Sequence, residues 1–325
     1  MKKELLAPLK MDPFLRETIW GGQRLVKQYG KKPQKELKNV AESWEVSTHP
    51  NGQSKIDGGF FAGETFTHYL ETMGPKVITR QAKSTDFPLI IKYIDAMDDL
   101  SIQVHPGKGY AGPGPNFSGK TEMWYVVEAQ PGASLYYGVA EITDRRDFKK
   151  HIENDTLPEI LRQVPAHPGD VFFLPPGTVH GIGKGLLIAE IQQACDLTYR
   201  VCDYGRVDFD GKKRPLHIKD ALAVSTLEPT PLAPLAPPVP TVEGNSWQEL
   251  AACDYFHVRK LTLQSAFTQK ATGGSCQVYL TLEGQFQIVH SGMIYTFQKG
   301  ETAFIPAGLG EYTLEGQATL LLTTL

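Results

Sequence analysis

Short apolar runs, broken by glycine and proline, set the pattern of this chain. SIQVH (101–105), MWYVVE (123–128), DVFFLP (170–175), LLIAEIQQ (186–193), QVYLTLEG (277–284) and TAFIPAG (302–308) carry Val, Ile, Tyr and Phe on alternating positions. That is the period of a pleated strand half-facing a core. With 31 glycines and 23 prolines between such runs, the elements are short, and a sandwich or barrel of strands is expected. The predicted fold class is mainly β with a small helical region. Residues 143–163 predict two short helices, opened by Thr143 and Thr156 as N-caps. Residues 64–73 predict another, ended by Gly74-Pro75, and residues 217–224 one more.

Two larger patterns organise these elements. EPTPLAPLAPPVPT (228–241) holds six prolines, which remove backbone donors and favour an extended connector. It predicts a first domain over 1–227, a linker over 228–241 and a second domain over 242–325. The spacing Gly169, Pro175, Gly177, His180 recurs at Gly300, Pro306, Gly308, Glu311, an offset of 131 residues. Each copy lies in a β-rich stretch on its own side of the linker, which points to duplication of one β-unit.

Composition narrows the class. The chain has 325 residues, 41% of them hydrophobic, and a formal charge of -3, enough for a sizeable core and without the basic surplus of a nucleic-acid or membrane-surface binder. The N-terminal MKKELLAPLKMDPF has no apolar run of signal length, and no stretch approaches a membrane span. The four cysteines, Cys195, Cys202, Cys253 and Cys276, form no CxxC pair, which fits a reducing compartment; the cytoplasm is the expected location.

The candidate chemistry lies in the first β-unit. Gln103 and His105 are two apart in a strand-like run and so face one side. Glu122 follows 17 residues after His105, enough for a loop and a return strand, and His180 follows the rigid Pro-Pro-Gly corner. Two imidazoles, one carboxylate and one amide oxygen suit a divalent metal with an open position; zinc, iron, manganese and cobalt all fit that description. In the second unit Cys276 aligns with Glu122 and Glu311 with His180, so that unit is expected to be metal-free. Glu190 sits in an apolar strand, where an unpaired carboxylate is costly, and is either part of a structural ion pair or a site carboxylate. Arg200 can fork two donors toward a phosphate or an oxyanion. Lys120 shares a face with Glu122 and could meet an anionic substrate; Lys92 lies in a strand that reads as buried; Trp20 could stack on a sugar ring.

Taken in order, TIWGG (18–22), ESWEVSTHPNG (42–52), FPLIIKYIDA (87–96), LSIQVHP (100–106), GKTEMWYV (119–126), PGDVFFLPPGTVHGIG (168–183) and AEIQQACDLTYRVCDYGR (189–206) resemble the short bacterial form of type I mannose-6-phosphate isomerase, end to end. The two glycine-proline corners resemble cupin motifs. The one departure noted is Cys202, where the family more often has tyrosine. The resemblance implies two jelly-roll cupin units with a helical region. It implies an enzyme with one zinc ion per chain that interconverts mannose 6-phosphate and fructose 6-phosphate through a cis-enediol. It maps the zinc ligands onto Gln103, His105, Glu122 and His180, the active-site arginine onto Arg200 and an acidic residue onto Glu190. A hexose 6-phosphate is the expected partner, with neither nucleic acid nor membrane, and a monomer is the favoured state. Two other classes use the same residues: an iron-dependent cupin dioxygenase, which would consume oxygen, and a sugar-phosphate sensor, which would bind without turnover.

Overall fold

The computed structural model describes residues 5–33, 35–110, 119–241 and 244–325. The chain is mainly β, in three sheets. The middle layer is a six-stranded antiparallel sheet, in the order Val171–Leu174, Glu122–Ala129, Leu186–Gln193, Leu89–Asp95, Glu42–Val46, Phe14–Arg16. Its central strands Leu89–Asp95 and Leu186–Gln193 are buried at every position. That explains their near-continuous apolar sequences, because both faces are covered.

Alternate residues of this sheet enter two different cores. Trp124, Val126, Ile188 and Ile94 pack with Leu135, Tyr137 and Ile182 of a five-stranded sheet. That second sheet runs Tyr199–Cys202, Ile102–Val104, His180–Ile182, Ser134–Val139, Leu161–Pro165. From the opposite face Met123, Tyr125, Ala189, Ile191 and Tyr93 pack with Val278, Leu280, Phe304 and Leu321. These last four belong to a ten-stranded sheet built mostly from the C-terminal segment. Two N-terminal strands join it: Leu9–Asp12 pairs with Thr302–Ile305 on one side and Lys55–Ile56 on the other.

The proline-rich segment is packed rather than free. Arg162 donates to the Thr230 carbonyl, Leu235 packs on the core, and Val239–Pro240 pairs with Ser246 and Trp247. Of the predicted helices, Phe66–Met73 forms with Thr65 as cap, its hydroxyl accepting from the His68 N–H, and it ends at Gly74. The Ile218–Val224 helix also forms. The Arg145–Glu153 helix is capped by Asp144 instead of Thr143. The Asp144 carboxylate accepts from both the Arg146 and Asp147 N–H groups, while Thr143 donates to the Asp147 carboxylate. The second predicted helix is only a 3-10 turn, Leu157–Ile160, which runs straight into the Leu161–Pro165 strand. Pro158 supplies no N–H there, and the Thr156 hydroxyl contacts His151 Nδ1 instead of capping.

Candidate active site

The Pro175-Pro176-Gly177 corner links the Val171–Leu174 strand to His180–Ile182, so it carries the chain from the middle sheet to the five-stranded one. Gly177 has φ +89, and a Cβ there would meet Thr226 Oγ1 at 2.6 Å and the Val224 carbonyl at 2.8 Å. Its N–H donates to the His105 carbonyl at 2.8 Å. The corner therefore ties the backbone of His105 to the segment that delivers His180.

Those two imidazoles meet Glu122 between the sheets. One ligand atom each from His105, Glu122 and His180 lies within 4.8 Å of the others, and all three residues are buried. His180 Nε2 is 3.3 Å from Glu122 Oε1, and His105 Nε2 is 3.6 Å from Oε2. Both Nδ1 atoms face backbone carbonyls: His105 that of Leu197 at 2.9 Å, His180 that of Thr178 at 2.8 Å. A carbonyl only accepts, so each Nδ1 carries the proton and each Nε2 presents a lone pair to the cluster. Burial holds the His180 pKa down at about 4, against the raising effect of the Thr178 carbonyl. Burial, then the Lys120 charge, hold His105 well below its ordinary value. Both rings are thus neutral and able to bind a metal at physiological pH. His180 Nε2 and Glu122 Oε1 are buried without a hydrogen-bond partner among the described residues, while Glu122 Oε2 faces the Lys120 ammonium at 3.0 Å. Leaving the first two atoms unsatisfied costs about 1–3 kcal/mol each, and a bound divalent cation would satisfy both. The donor set fits a metal. Gln103 stands in register with both His180 and Arg200 on adjacent strands, so the three share one face of the five-stranded sheet.

Beside this cluster opens a cavity of about 320 Å³. Gln103, Glu122, Lys120, Glu190, Lys92, Arg200 and Trp20 all line it. The strand register explains the arrangement of the middle-sheet wall. Trp44, Lys92, Glu190 and Trp124 are successive cross-strand partners and form one row. Lys92 Nζ lies 3.4 Å from Glu190 Oε2 and 3.2 Å from Glu42 Oε2. Burial by itself would lower the Lys92 pKa, but those two carboxylates raise it, so the amine stays charged. Glu190 is pushed the other way. Burial raises its pKa well above the ordinary carboxylate value, Lys92 opposes the rise and Glu122 adds to it. Lys120 Nζ sits 3.0 Å from Glu122 Oε2, 2.9 Å from His105 Nε2 and 3.8 Å from Glu190 Oε1. Arg200 is half-buried, its guanidinium donating to Ser101 Oγ at 3.3 Å and to the Pro215 carbonyl at 3.1 Å.

The cavity wall also includes residues that the sequence motifs do not single out, among them Arg16, Glu42, Ser101, Asp196 and Arg214. Glu42 accepts from Trp44 Nε1 at 2.7 Å as well as facing Lys92. Arg16 pairs with Asp196 at 3.3 Å, and Arg214 with Asp203 at 2.8 Å. Only Glu42 left a local signal, as an acidic residue alternating with a tryptophan in ESWEV. In the C-terminal β-unit, Cys276, the counterpart of Glu122, is buried, its thiol pushed up to about 12 by that burial. Glu311 points outward and pairs with Lys270 at 3.6 Å.

The chain's matches to known proteins agree with this geometry. Residues 9–120 match the family model of the phosphomannose isomerase type I catalytic domain, and residues 247–325 that of the mannose-6-phosphate isomerase cupin domain. The chain is 35% identical to mannose-6-phosphate isomerase ManA of Bacillus subtilis (strain 168), covering 98% of this chain and 99% of that one. It is 33% identical to mannose-6-phosphate isomerase of Streptococcus mutans serotype c, with 97% of each chain covered. The crystal structure of the mannose 6-phosphate isomerase from Bacillus subtilis superposes with a TM-score of 0.90 at 29% identity, over 98% of this chain and 100% of that one. The chain belongs to the type I mannose-6-phosphate isomerase family.

Proposed function

We propose that this protein interconverts D-mannose 6-phosphate and D-fructose 6-phosphate, with one zinc ion per chain held by Gln103, His105, Glu122 and His180. The observation that carries the proposal is the convergence of three neutral or anionic ligand groups, His105, Glu122 and His180, beside a buried carboxylate, Glu190, in one cavity. A volume of about 320 Å³ falls in the range for a small polar substrate. Arg16, Lys92, Lys120, Arg200 and Arg214 on its wall give it the cations an anionic sugar needs.

Aldose–ketose isomerisation moves one proton from C2 to C1 through a cis-enediol, and one hydroxyl proton from O2 to O1, with no net change in atoms. When bound, zinc would supply Lewis acidity to the sugar oxygens as negative charge develops. Glu190 takes the C2 proton and returns it at C1, because a carboxylate with a raised pKa can hold a proton and release it near neutrality. Lys120, between Glu122 and Glu190, handles the hydroxyl proton or meets the phosphate. Arg200 stabilises the enediolate or holds phosphate, with Ser101 and the Pro215 carbonyl fixing its guanidinium. Lys92 adds fixed positive charge, and Trp20 offers a buried ring to the sugar.

In this reading residues 1–227 carry the catalysis and residues 242–325 form a second, metal-free jelly-roll unit joined by the 228–241 segment. The enzyme works in the cytoplasm as a monomer; no helix among the described residues is long and apolar enough to cross a membrane. The test is turnover by purified protein supplied with fructose 6-phosphate. Mannose 6-phosphate should form, stop forming after chelation, and form again on zinc addition. A zinc-loaded protein that leaves both sugars unchanged contradicts the proposal.

A further inference from the structure

Lys120 occupies a place in the metal cluster that its catalytic assignment does not explain. Its ammonium is 2.9 Å from His105 Nε2 and 3.0 Å from Glu122 Oε2, so it touches two of the three groups that would bind the metal. The side chain is almost wholly buried, and so is Glu122. His105 Nδ1 is committed to the Leu197 carbonyl, which leaves Nε2 as the ring's single lone pair. That lone pair can accept from Lys120 or bind a metal ion, but it cannot do both. Nζ also lies 3.8 Å from a third group, Glu190 Oε1, on the substrate side.

We propose that Lys120 is a built-in placeholder cation: its ammonium neutralises Glu122 and fills the His105 lone pair in the metal-free protein, and metal binding displaces it toward Glu190. This rests on the reading of His105, Glu122 and His180 as the metal site, and it adds two consequences. The metal-free protein keeps its ligands in place, because a buried carboxylate with no cation beside it is strongly unfavourable. Loading the metal also moves the lysine amine from His105 onto Glu190, closing the 3.8 Å gap between them, so the metal tightens the proton-handling pair Lys120 and Glu190 as it binds. Lys120 does not occupy the third ligand: His180 Nε2 has no hydrogen-bond partner among the described residues and stays open to the metal.

The experiment measures zinc affinity of stripped wild-type protein and of Lys120→Met by competition with a chromophoric chelator, and the melting temperature of each with and without zinc. Lys120→Met is purified with zinc bound and then stripped, so that folding does not depend on the lysine. Removing a like charge from the site should tighten zinc binding at least about tenfold. The stripped variant should melt about 5 °C or more below stripped wild type, since Glu122 loses its buried partner, and zinc should close that gap. Crystal structures of the wild-type chain should show Nζ against His105 without zinc and against Glu190 with it. Unchanged or weaker zinc binding by Lys120→Met, or a lysine that stays on His105 in the zinc-bound crystal, overturns the proposal while leaving the metal site standing. Failure of stripped wild type to bind zinc at all overturns both.

Discussion

The proposed mechanism places the carbon-to-carbon proton transfer on Glu190. Its carboxylate is buried next to two lysines and another carboxylate, so neither protonation state is strongly favoured near neutrality. Glu190→Gln keeps the shape and removes the titrating group. It should lower kcat by about 10²–10⁴-fold, the usual contribution of a general acid–base, with zinc still bound one per chain by elemental analysis. Glu42 makes a different prediction, about stability. Burial alone would raise its pKa, but Lys92, Arg16 and the Trp44 indole hold it below the ordinary value. A depressed folded pKa stabilises above the unfolded carboxylate pKa and is lost as pH falls through the folded one. Glu42→Gln should therefore cost about 3 kcal/mol at pH 7. The difference from wild type should shrink as the pH falls below about 4, read from urea midpoints at each pH. The sequence made His105, Glu122 and His180 legible because each stands in a local pattern, a strand alternation or a rigid corner. Glu42 and Arg214 were not legible as site residues. Glu42 meets Lys92 only through the pairing of Trp44 with Lys92 across strands distant in sequence, and local patterns do not encode that register.

Elements explain how the ligands are held. The two glycine-proline corners share their left-handed glycines, with φ +89 at Gly177 and +82 at Gly308, so the repeated spacing reflects a repeated backbone shape. Their surroundings differ. A Cβ at Gly177 would collide with Thr226 and Val224, whereas at Gly308 nothing lies within 4 Å. Gly308→Ala should then cost only the backbone term, about 1–2 kcal/mol. Gly177→Ala must also displace the chain near His180, so it should cost more and weaken zinc binding, which Gly308→Ala should leave unchanged; calorimetric melting and zinc titration of the pair decide it. Helix prediction succeeded where a cap and a stop were both written locally, as at Thr65 and Gly74. It slipped at Thr143, because the neighbouring Asp144 offers an acceptor to two N–H groups at once. It failed after Thr156, because a proline and the demand of a sheet edge overrode helical periodicity.

At the scale of the whole molecule, the middle sheet is the common wall of two cores, one under the site and one against the C-terminal strands. Lys31 and Thr302 both contact the buried Glu45 carboxylate, at 2.6 and 2.7 Å, and the Tyr93 hydroxyl donates to the Thr281 carbonyl. These contacts join the N-terminal two-thirds to the C-terminal sheet directly behind the row that carries Lys92. A chain ending at residue 227 loses the covering of Tyr93, Met123 and Ile191 and one of the two partners of the Leu9–Asp12 strand. It should be unfolded or aggregated by circular dichroism and sedimentation. Recovery of activity should require the 242–325 segment in trans. The strand LKMD (9–12) gave no hint of this, since nothing in four residues names a partner nearly 300 positions away.

On the proposed function, one metal ion seated by His105, Glu122 and His180 switches on the isomerase. This is tested most directly by titrating zinc into stripped protein while following mannose 6-phosphate formation from fructose 6-phosphate. The rate should start near zero, rise linearly and break at one zinc per chain, with His180→Ala flat throughout. A rate already maximal in the stripped protein, or equal in His180→Ala, would contradict it.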